Sequence, residues 1–368
     1  MKIKNLIVIE LASVLAGPSV GQFFAELGAE VIKVENSEVG GDVTRSWLFN
    51  GEAPDGNVSS YFSSVNWGKK SITLDLRSTE DRKKLYKLVK KADIIITSYK
   101  AGDAEKLGVG YEKLSAINPQ IIYGQIIGYS NSSKVGYDAV VQAETGFMSM
   151  NGEKGSSPLK MPVALIDVLA AHQLKEAVLV AIIERMATGH GKHLRVSLMD
   201  AAISALVNQG SNWLVGKKAP KAIGNLHPNI APYGELFTTK DDRQLLLAVG
   251  NNKQFYSLSK VLGLDLMIED FSTNLFRLKH RGELNLLIGE KIKDHHSGEL
   301  LSKLNKHQIP AGLVATVDQV LENGEAHWFF KSGQIQGLRS FVASGIGQLQ
   351  LSPPPQLGQH NDEILSSL

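Results

Sequence analysis

Short apolar runs alternate with amphipathic or charged stretches through the first third of the chain. "NLIVIEL", "EVIKVE", "SITLDL", "DIIITSY" and "QIIYGQIIGY" are near-continuous apolar runs of strand length. Between them, "SVGQFFAELGA", "STEDRKKLYKLVKKA" and "GYEKLSAIN" carry helical patterning, and the first meets a glycine stop. Strands apolar on both faces and separated by helices predict an α/β fold. The large domain is therefore expected to be Rossmann-like, with a parallel sheet and ligands at the carboxyl ends of its strands.

The pattern then changes. "MPVALIDVLAAHQLKEAVLVAIIERMATG" predicts a helix from Val168 to about Met186 that stops at Thr188-Gly189. It is apolar nearly all round between Ala177 and Ile183, which predicts burial in a core or a subunit interface. "TGHGKHLRVSLMDAAISALV" supplies a turn, a strand and another helix, and "NWLVGKKAPKAIGNLHPN" reads as a linker. "GELFTTKDDRQLLLAVGN" predicts a hairpin turning at Asp241-Asp242. Helical segments follow from about Lys253 to Lys306, then strand and helix in "QIPAGLVATVDQVLENG" and a short helix after the proline-led arm. The expected division is a large domain over 1–212, completed by 314–368, a linker at 213–221, and a smaller α+β domain over 222–313.

Composition narrows the function. The 368 residues are 43% apolar, enough for a large core, and 39 basic against 37 acidic residues give no field that argues for nucleic acid. Without cysteine there is no disulfide, thiolate metal site or cysteine nucleophile, which is compatible with a cytoplasmic location. The ten histidines show no ligand spacing, so no metal is expected. "LIVIEL" is short for a signal-peptide core and "AVLVAII" short for a membrane span, so no membrane association is expected. Gly17 and Gly21 do not form the GxGxxG of a dinucleotide site.

Asp167 stands out, because almost everything from Met161 to Ala171 is apolar. Burying a carboxylate costs several kcal/mol unless it is paired or caps a helix. An N-cap for the following helix is the plain structural reading, and a reactive carboxylate is the functional one.

The motifs resemble those of the class III CoA-transferases, the family of formyl-CoA transferase and the carnitine and bile-acid CoA-transferases. The resemblance covers almost the whole chain. It runs through "LAGPSVGQFFAELGAEVIKVE", "GGDVTR", "NWGKKSITLDL", "INPQIIYGQIIGY", "GYDAVVQAETGFMS", "TGHGKHLRVSLMDA", "GNLHPNIAPY", "IPAGLV" and "PPPQLGQHNDEIL". It implies that Asp167 is the nucleophile, forming first a mixed anhydride and then an aspartyl-CoA thioester, with capping as an additional role. It further implies that the backbone of Val14, Leu15 and Ala16 approaches the nucleotide, that Leu74 lies beside the adenine, and that Arg77 and Lys106 lie near phosphates. Arg45 is a candidate phosphate or substrate contact. Arg77 and Lys106 also read as ordinary solvated charges.

Two features depart from formyl-CoA transferase. Asn36-Ser37 stands where that enzyme has an arginine near the adenine, and no polyglycine run is present to cover the nucleophile.

The same fold serves α-methylacyl-CoA racemase, whose reactive histidine lies in a "GHD" motif. Here the motif is "GYD", with Tyr137 in that place. A tyrosine with pKa near ~10 is a poor base at neutral pH, whereas histidine titrates near ~6.5. Transferases of the family commonly carry the tyrosine, so the resemblance implies transfer, with 2-methylacyl-CoA racemisation as the alternative. Tyr137 reads either as a core aromatic or as a hydrogen-bond donor to the substrate, and Asp138 reads as structural. "GNLHPNIAPY" and "AVGNNKQF" are similar to members that move CoA from succinyl-CoA to dicarboxylates. His227 is thus a candidate for a distal carboxylate, or simply a hydrogen-bonded loop histidine. The resemblance implies no permanently bound cofactor, with coenzyme A and acyl-CoA as substrates. It also implies an interlocked homodimer.

Overall fold

A computed structural model describes residues 3–54, 56–100, 102–132, 134–265 and 271–368. The five apolar runs become strands: β1 (Ile7–Leu11), β2 (Glu30–Glu35), β3 (Lys69–Thr73), β4 (Ile94–Thr97) and β5 (Ile122–Ile127), joined by β6 (His193–Ser197). All six are parallel, in the order β3-β2-β1-β4-β5-β6. Val8 pairs with Val31 on one side and Ile94 on the other, so the central strands bury both faces.

Each face has its own core. On one, the helix Ala16–Glu26 and the long helix Leu165–Thr188 cover Val8, Ile94, Ile96 and Ile122 with Val20, Phe24, Leu174 and Val178. On the other, Leu85, Leu88 and Val89 of the helix Thr79–Val89 pack with Leu114 and Ile364 over Ile9, Ile32 and Ile95. Each fully buried aliphatic side chain of this kind stabilises the fold by about 1.5–3 kcal/mol. The packing of the helix Ala16–Glu26 leans on absent side chains at Gly17 and Gly21. A Cβ on Gly17 would stand 2.4 Å from the Cβ of Ala12, and one on Gly21 would stand 1.9 Å from a carboxylate oxygen of Glu10.

The order places β1 beside β4, and the chain leaves these two strands in opposite directions. The loops that follow them, beginning at Ala12 and Ser98, therefore part at the carboxyl edge of the sheet and leave a crevice.

The long helix starts three residues earlier than the sequence predicts. Its N-cap is Ala164, which supplies no side-chain bond, and Asp167 is its third residue. The expectation that Asp167 caps this helix is thus incorrect. The capping carboxylate comes from Asp138, whose Oδ1 accepts the N–H of Ile166 at 2.7 Å. The helix ends as expected, at Gly189 in the left-handed conformation with φ 72°. Its apolar girth is only half buried: Val178, Ala181 and Ile182 enter the core, while Val180, Ile183 and Met186 are 55%, 68% and 65% exposed.

Two compact units emerge. One comprises the chain up to Ser149, Leu159–Pro220 and Glu325–Leu368; the other comprises Met150–Pro158 and Lys221–Gly324. The second is built on an antiparallel sheet of β7 (Tyr233–Thr238), β8 (Gln244–Ala248) and β9 (Ala311–Leu313). The hairpin between β7 and β8 turns where expected, with Asp242 at φ 55°. The helical stretch expected from Lys253 to Lys306 appears as the helices Asn252–Leu262, Asn274–Lys279, Arg281–Ile292 and Ser297–Lys306, with 266–270 outside the described residues. Phe255, Leu258, Leu284, Ile288 and Leu300 close its core with Leu245 and Leu247.

The sequence reading has no counterpart for the hairpin β10 (Phe329–Ser332) and β11 (Ile335–Leu338), which belongs to the first unit. Phe330 stacks on Trp67 at 5.5 Å. Gly337 lets the hairpin approach that indole, since a Cβ there would meet its Nε1 at 2.1 Å. Among the described residues, no helix is long and apolar enough to cross a membrane.

Candidate active site

The crevice between β1 and β4 opens into a cavity of about 250 Å³. Its walls come from three consecutive strand ends: Ser13 to Gly17 after β1, Ser98 to Lys100 after β4, and residues 126–129, 132 and 134–137 at the end of β5 and in the turn that follows. Asp167 completes it from the first turn of the long helix. The backbones at Gly128 and Gly136 touch, and a Cβ on Gly136 would lie 2.4 Å from the Cα of Gly128. Side chains at either glycine would force this turn apart and displace Tyr137.

Asp167 is 7% exposed. Its carboxylate has no hydrogen-bond donor among the described residues, and the Ile166 N–H of the same first turn is taken by Asp138. The other oxygen of Asp138 is held by Gln142 Nε2 at 2.7 Å, and Gln142 Oε1 in turn accepts the N–H of Met161. Burial, and then repulsion from Asp138, push the Asp167 carboxyl from its ordinary 3.8 up to about 7. Near neutral pH it is poised between acid and carboxylate. A desolvated carboxylate without donors is a stronger nucleophile than a solvated one, since no hydrogen bonds must be broken before it attacks. Tyr61 lies in the same field: its hydroxyl is pushed up by burial and by the charges of Asp167, Asp138 and Asp42.

The structure brings together Asp167, Tyr137, Val14, Leu15 and Ala16 as walls of one cavity. Tyr137 is 52% exposed, so it is a rim residue and not a core aromatic. Leu74, Arg77, Lys106 and Arg45 are not among those walls. Leu74 follows β3, and its side chain is buried with Ile32 and Ile72. Arg77 is at the same sheet edge, exposed, and paired with Asp75 at 3.0 Å and with Glu38. Lys106 ends the short helix Asp103–Lys106 and pairs with Asp103 at 3.3 Å.

Arg45 is fully engaged. Its guanidinium grips both oxygens of Glu35 at 2.7 and 2.8 Å, donates to the carbonyls of Asn57 and Pro355, and lies 3.7 Å from the Phe62 ring centroid. His227 belongs to the second unit, where its Nδ1 accepts the N–H of Asn229 at 3.1 Å. This bond fixes the proton on Nε2. Arg281 donates to the His227 carbonyl at 2.8 Å and also to that of Ile230.

Several wall residues were not singled out from the sequence: Tyr99, Lys100, Tyr129 and Lys134. Tyr99 is half-buried, and desolvation pushes its hydroxyl up to about 12, so it stays neutral. Lys134 pairs with Glu144 and lies 5.1 Å from the Tyr129 ring centroid. Lys100 has no ion-pair partner among the described residues and offers an uncommitted cation at the cavity wall. The signal for Tyr99 and Lys100 is the end of β4, which neighbours β1, and for Tyr129 and Lys134 the end of β5 beyond it; both become legible once the strand order is known.

Comparison with known proteins agrees with this architecture. The family model described as CoA-transferase family III matches residues 3–361. A succinate–glutarate CoA-transferase from Agrobacterium fabrum is 36% identical, covering 98% of this chain and 94% of its own. The succinyl-CoA:glutarate CoA-transferase of Homo sapiens is 32% identical, over 98% of this chain and 84% of its own. A crystal structure of a CaiB/BaiF family protein from Brucella suis superposes with a TM-score of 0.85 at 37% identity, covering 99% and 98% of the two chains. With a family model spanning nearly every residue and these full-length relatives, the chain belongs to CoA-transferase family III and is a CoA-transferase.

Proposed function

We propose that the protein moves coenzyme A from succinyl-CoA to a small dicarboxylate of the glutarate kind, through covalent bonds to Asp167. One observation carries the mechanism: a buried carboxylate with no donor among the described residues, pushed by burial up to about 7, lines a cavity at the point where β1 and β4 diverge. The substrate pair is supported by relatives named for succinate or succinyl-CoA and glutarate, with others named for citramalate and mesaconate.

The ionised Asp167 attacks the thioester carbonyl of the donor. The carbon–sulfur bond breaks, leaving a mixed anhydride and CoA thiolate. The thiolate then attacks the aspartyl carbonyl and releases the donor acid, so that Asp167 carries CoA as a thioester. The acceptor carboxylate attacks that thioester, and the same two exchanges run in reverse to give the new acyl-CoA and free Asp167. No net proton is consumed, and the energy of the thioester is retained throughout. The apolar surroundings of Asp167 serve this chemistry by limiting water, which would hydrolyse either intermediate.

The loop Val14–Ala16 offers backbone contacts to CoA, Tyr137 a hydroxyl toward the thioester oxygen, and Lys100, Arg77 and Lys106 cations for phosphates. The working form is a homodimer, supported by the apolar side chains left exposed on the long helix and on the helix Val207–Leu214.

Mass spectrometry of protein mixed with succinyl-CoA tests the mechanism. A CoA adduct on the peptide containing Asp167, absent from Asp167→Ala, is the expected result. Full-speed exchange with that carboxylate always free overturns it, as does solvent deuterium uptake by a 2-methylacyl-CoA in the absence of any acceptor acid.

A further inference from the structure

Four charged side chains are closed off from solvent behind the loop that walls the cavity. Glu10 of β1 has both oxygens engaged, with Lys33 Nζ at 2.9 Å from one and Lys69 Nζ at 2.7 Å from the other. Lys33 also reaches Asp42 at 2.9 Å and donates to the Ala12 carbonyl at 2.8 Å. Lys69 donates to the Pro18 carbonyl and the Asn66 side chain. Two cations balance two anions, and none of the four is more than 4% exposed. A buried cluster of this kind adds little stability over apolar residues of the same volume, so stability alone does not account for it.

Toward the cavity, the cluster ends on one backbone amide. Asp42 Oδ1 accepts the N–H of Val14 at 3.2 Å, together with the N–H and hydroxyl of Thr44. Its place is fixed from the other side as well, because its own N–H donates to Glu35, the carboxylate gripped by Arg45. Val14 sits at φ 70°, a left-handed conformation that β-branched residues avoid. Without an anchor, a valine at this position would relax toward negative φ and carry the wall of the cavity with it.

We propose that Asp42, backed by Lys33, is a positioning residue for CoA: it holds the Val14 amide and so sets the loop Ser13–Ala16 in its binding shape before the ligand arrives. The proposal rests on the reading that this cavity receives CoA thioesters. It assigns the buried cluster to ligand binding, and it gives Arg45 an indirect part through Glu35.

The test compares the Kd of free CoA, by titration calorimetry, for the wild type and Asp42→Ala, each with and without Val14→Gly. Glycine adopts φ 70° without a side-chain penalty, so the anchor matters less in its presence. Asp42→Ala is expected to raise the Kd by about tenfold in the Val14 protein but by no more than about threefold in the Val14→Gly background. An unchanged Kd, or an equal loss in both backgrounds, overturns the proposal. Should Asp42→Ala fail to fold, amide-resolved hydrogen exchange on the unliganded wild type decides. A protected Val14 amide supports the anchor, and exchange at the rate of an open loop refutes it. A wild type that binds no CoA would overturn the reading of the cavity and this proposal with it. A wild type that binds CoA, with Asp42→Ala binding equally well, overturns this proposal alone.

Discussion

Asp138 holds the N–H of Ile166 at 2.7 Å and from there repels the carboxylate of its neighbour, Asp167. One side chain thus caps the long helix from a distance and helps keep the proposed nucleophile partly protonated near neutral pH. Asp138→Asn retains an oxygen for the Ile166 amide but removes the charge. Burial, the larger cause, is untouched, so the Asp167 pKa should fall below 7 yet remain above the ordinary 3.8. Because the carboxylate is the reactive form, the acidic limb of the pH–rate profile for the acyl-CoA half-reaction should move down by about 0.5–1 pH unit. A limb that stays in place would separate Asp138 from the titration of Asp167.

The same carboxyl should make the fold less stable as the medium becomes alkaline. Its folded pKa, about 7, lies above its unfolded value, so the folded protein binds the proton more tightly. That contribution is fully present below about pH 4 and is lost as pH rises through 7. At about 1.4 kcal/mol for each tenfold in proton affinity, its upper limit is roughly 4 kcal/mol. Asp167→Asn should therefore raise the melting temperature at pH 8 by more than at pH 5, while abolishing turnover. Equal gains at the two pH values would mean that the carboxyl titrates normally.

Much of this site was legible before the fold was known, for physical reasons that differ residue by residue. Apolar runs bounded by glycine and charge marked β1 to β5, because strands buried on both faces have little choice of composition. Asp167 was conspicuous as a charge in an apolar stretch, but its position in the helix was not. The partner that fixes the helix start is Asp138, and no local pattern links residues 28 apart in sequence. Tyr99 and Lys100 carry no local signal, because the adjacency of β1 and β4 is a tertiary fact. The hairpin of β10 and β11 was missed for a related reason: its strands are only four residues each, and their main anchor, Trp67, is distant in the chain. The "GGDVTR" motif is conspicuous in the sequence, yet its charges turn inward to Lys33 and Glu35, an orientation that depends on the register of β2.

The sequence makes Arg77 and Lys106 candidates for phosphate binding and Arg45 a candidate for phosphate or substrate, and their surroundings separate them. Arg45→Met removes one partner of a buried bidentate pair and should destabilise the protein by about 3–5 kcal/mol in chemical denaturation. Arg77→Gln and Lys106→Gln alter exposed side chains, so thermal stability should be unchanged. If they reach the phosphates of CoA, each should raise its Kd about threefold to tenfold at low salt and by less at high salt. A Kd unaffected at low salt would return both to the solvated surface.

Exposed apolar side chains on the first unit offer a surface that a second copy would cover. Val180, Ile183 and Met186 form one exposed strip of the long helix, while Val207, Trp213 and Leu214 are 70%, 51% and 70% exposed on or beside the helix Val207–Leu214. Hiding such side chains is worth about 1.5–3 kcal/mol each, enough for a few of them to decide an association. If a second copy covers them, wild-type protein should show the mass of a dimer in light scattering at micromolar concentration. Ile183→Asp combined with Leu214→Asp should place charges in that contact and reduce the mass toward a single chain, or leave the protein aggregated through its unpaired surface. Wild-type protein that scatters as a folded monomer, and that the double variant leaves unaltered, would remove the dimer from the proposed working form. It would also require another explanation for why so much apolar surface stays outside the core.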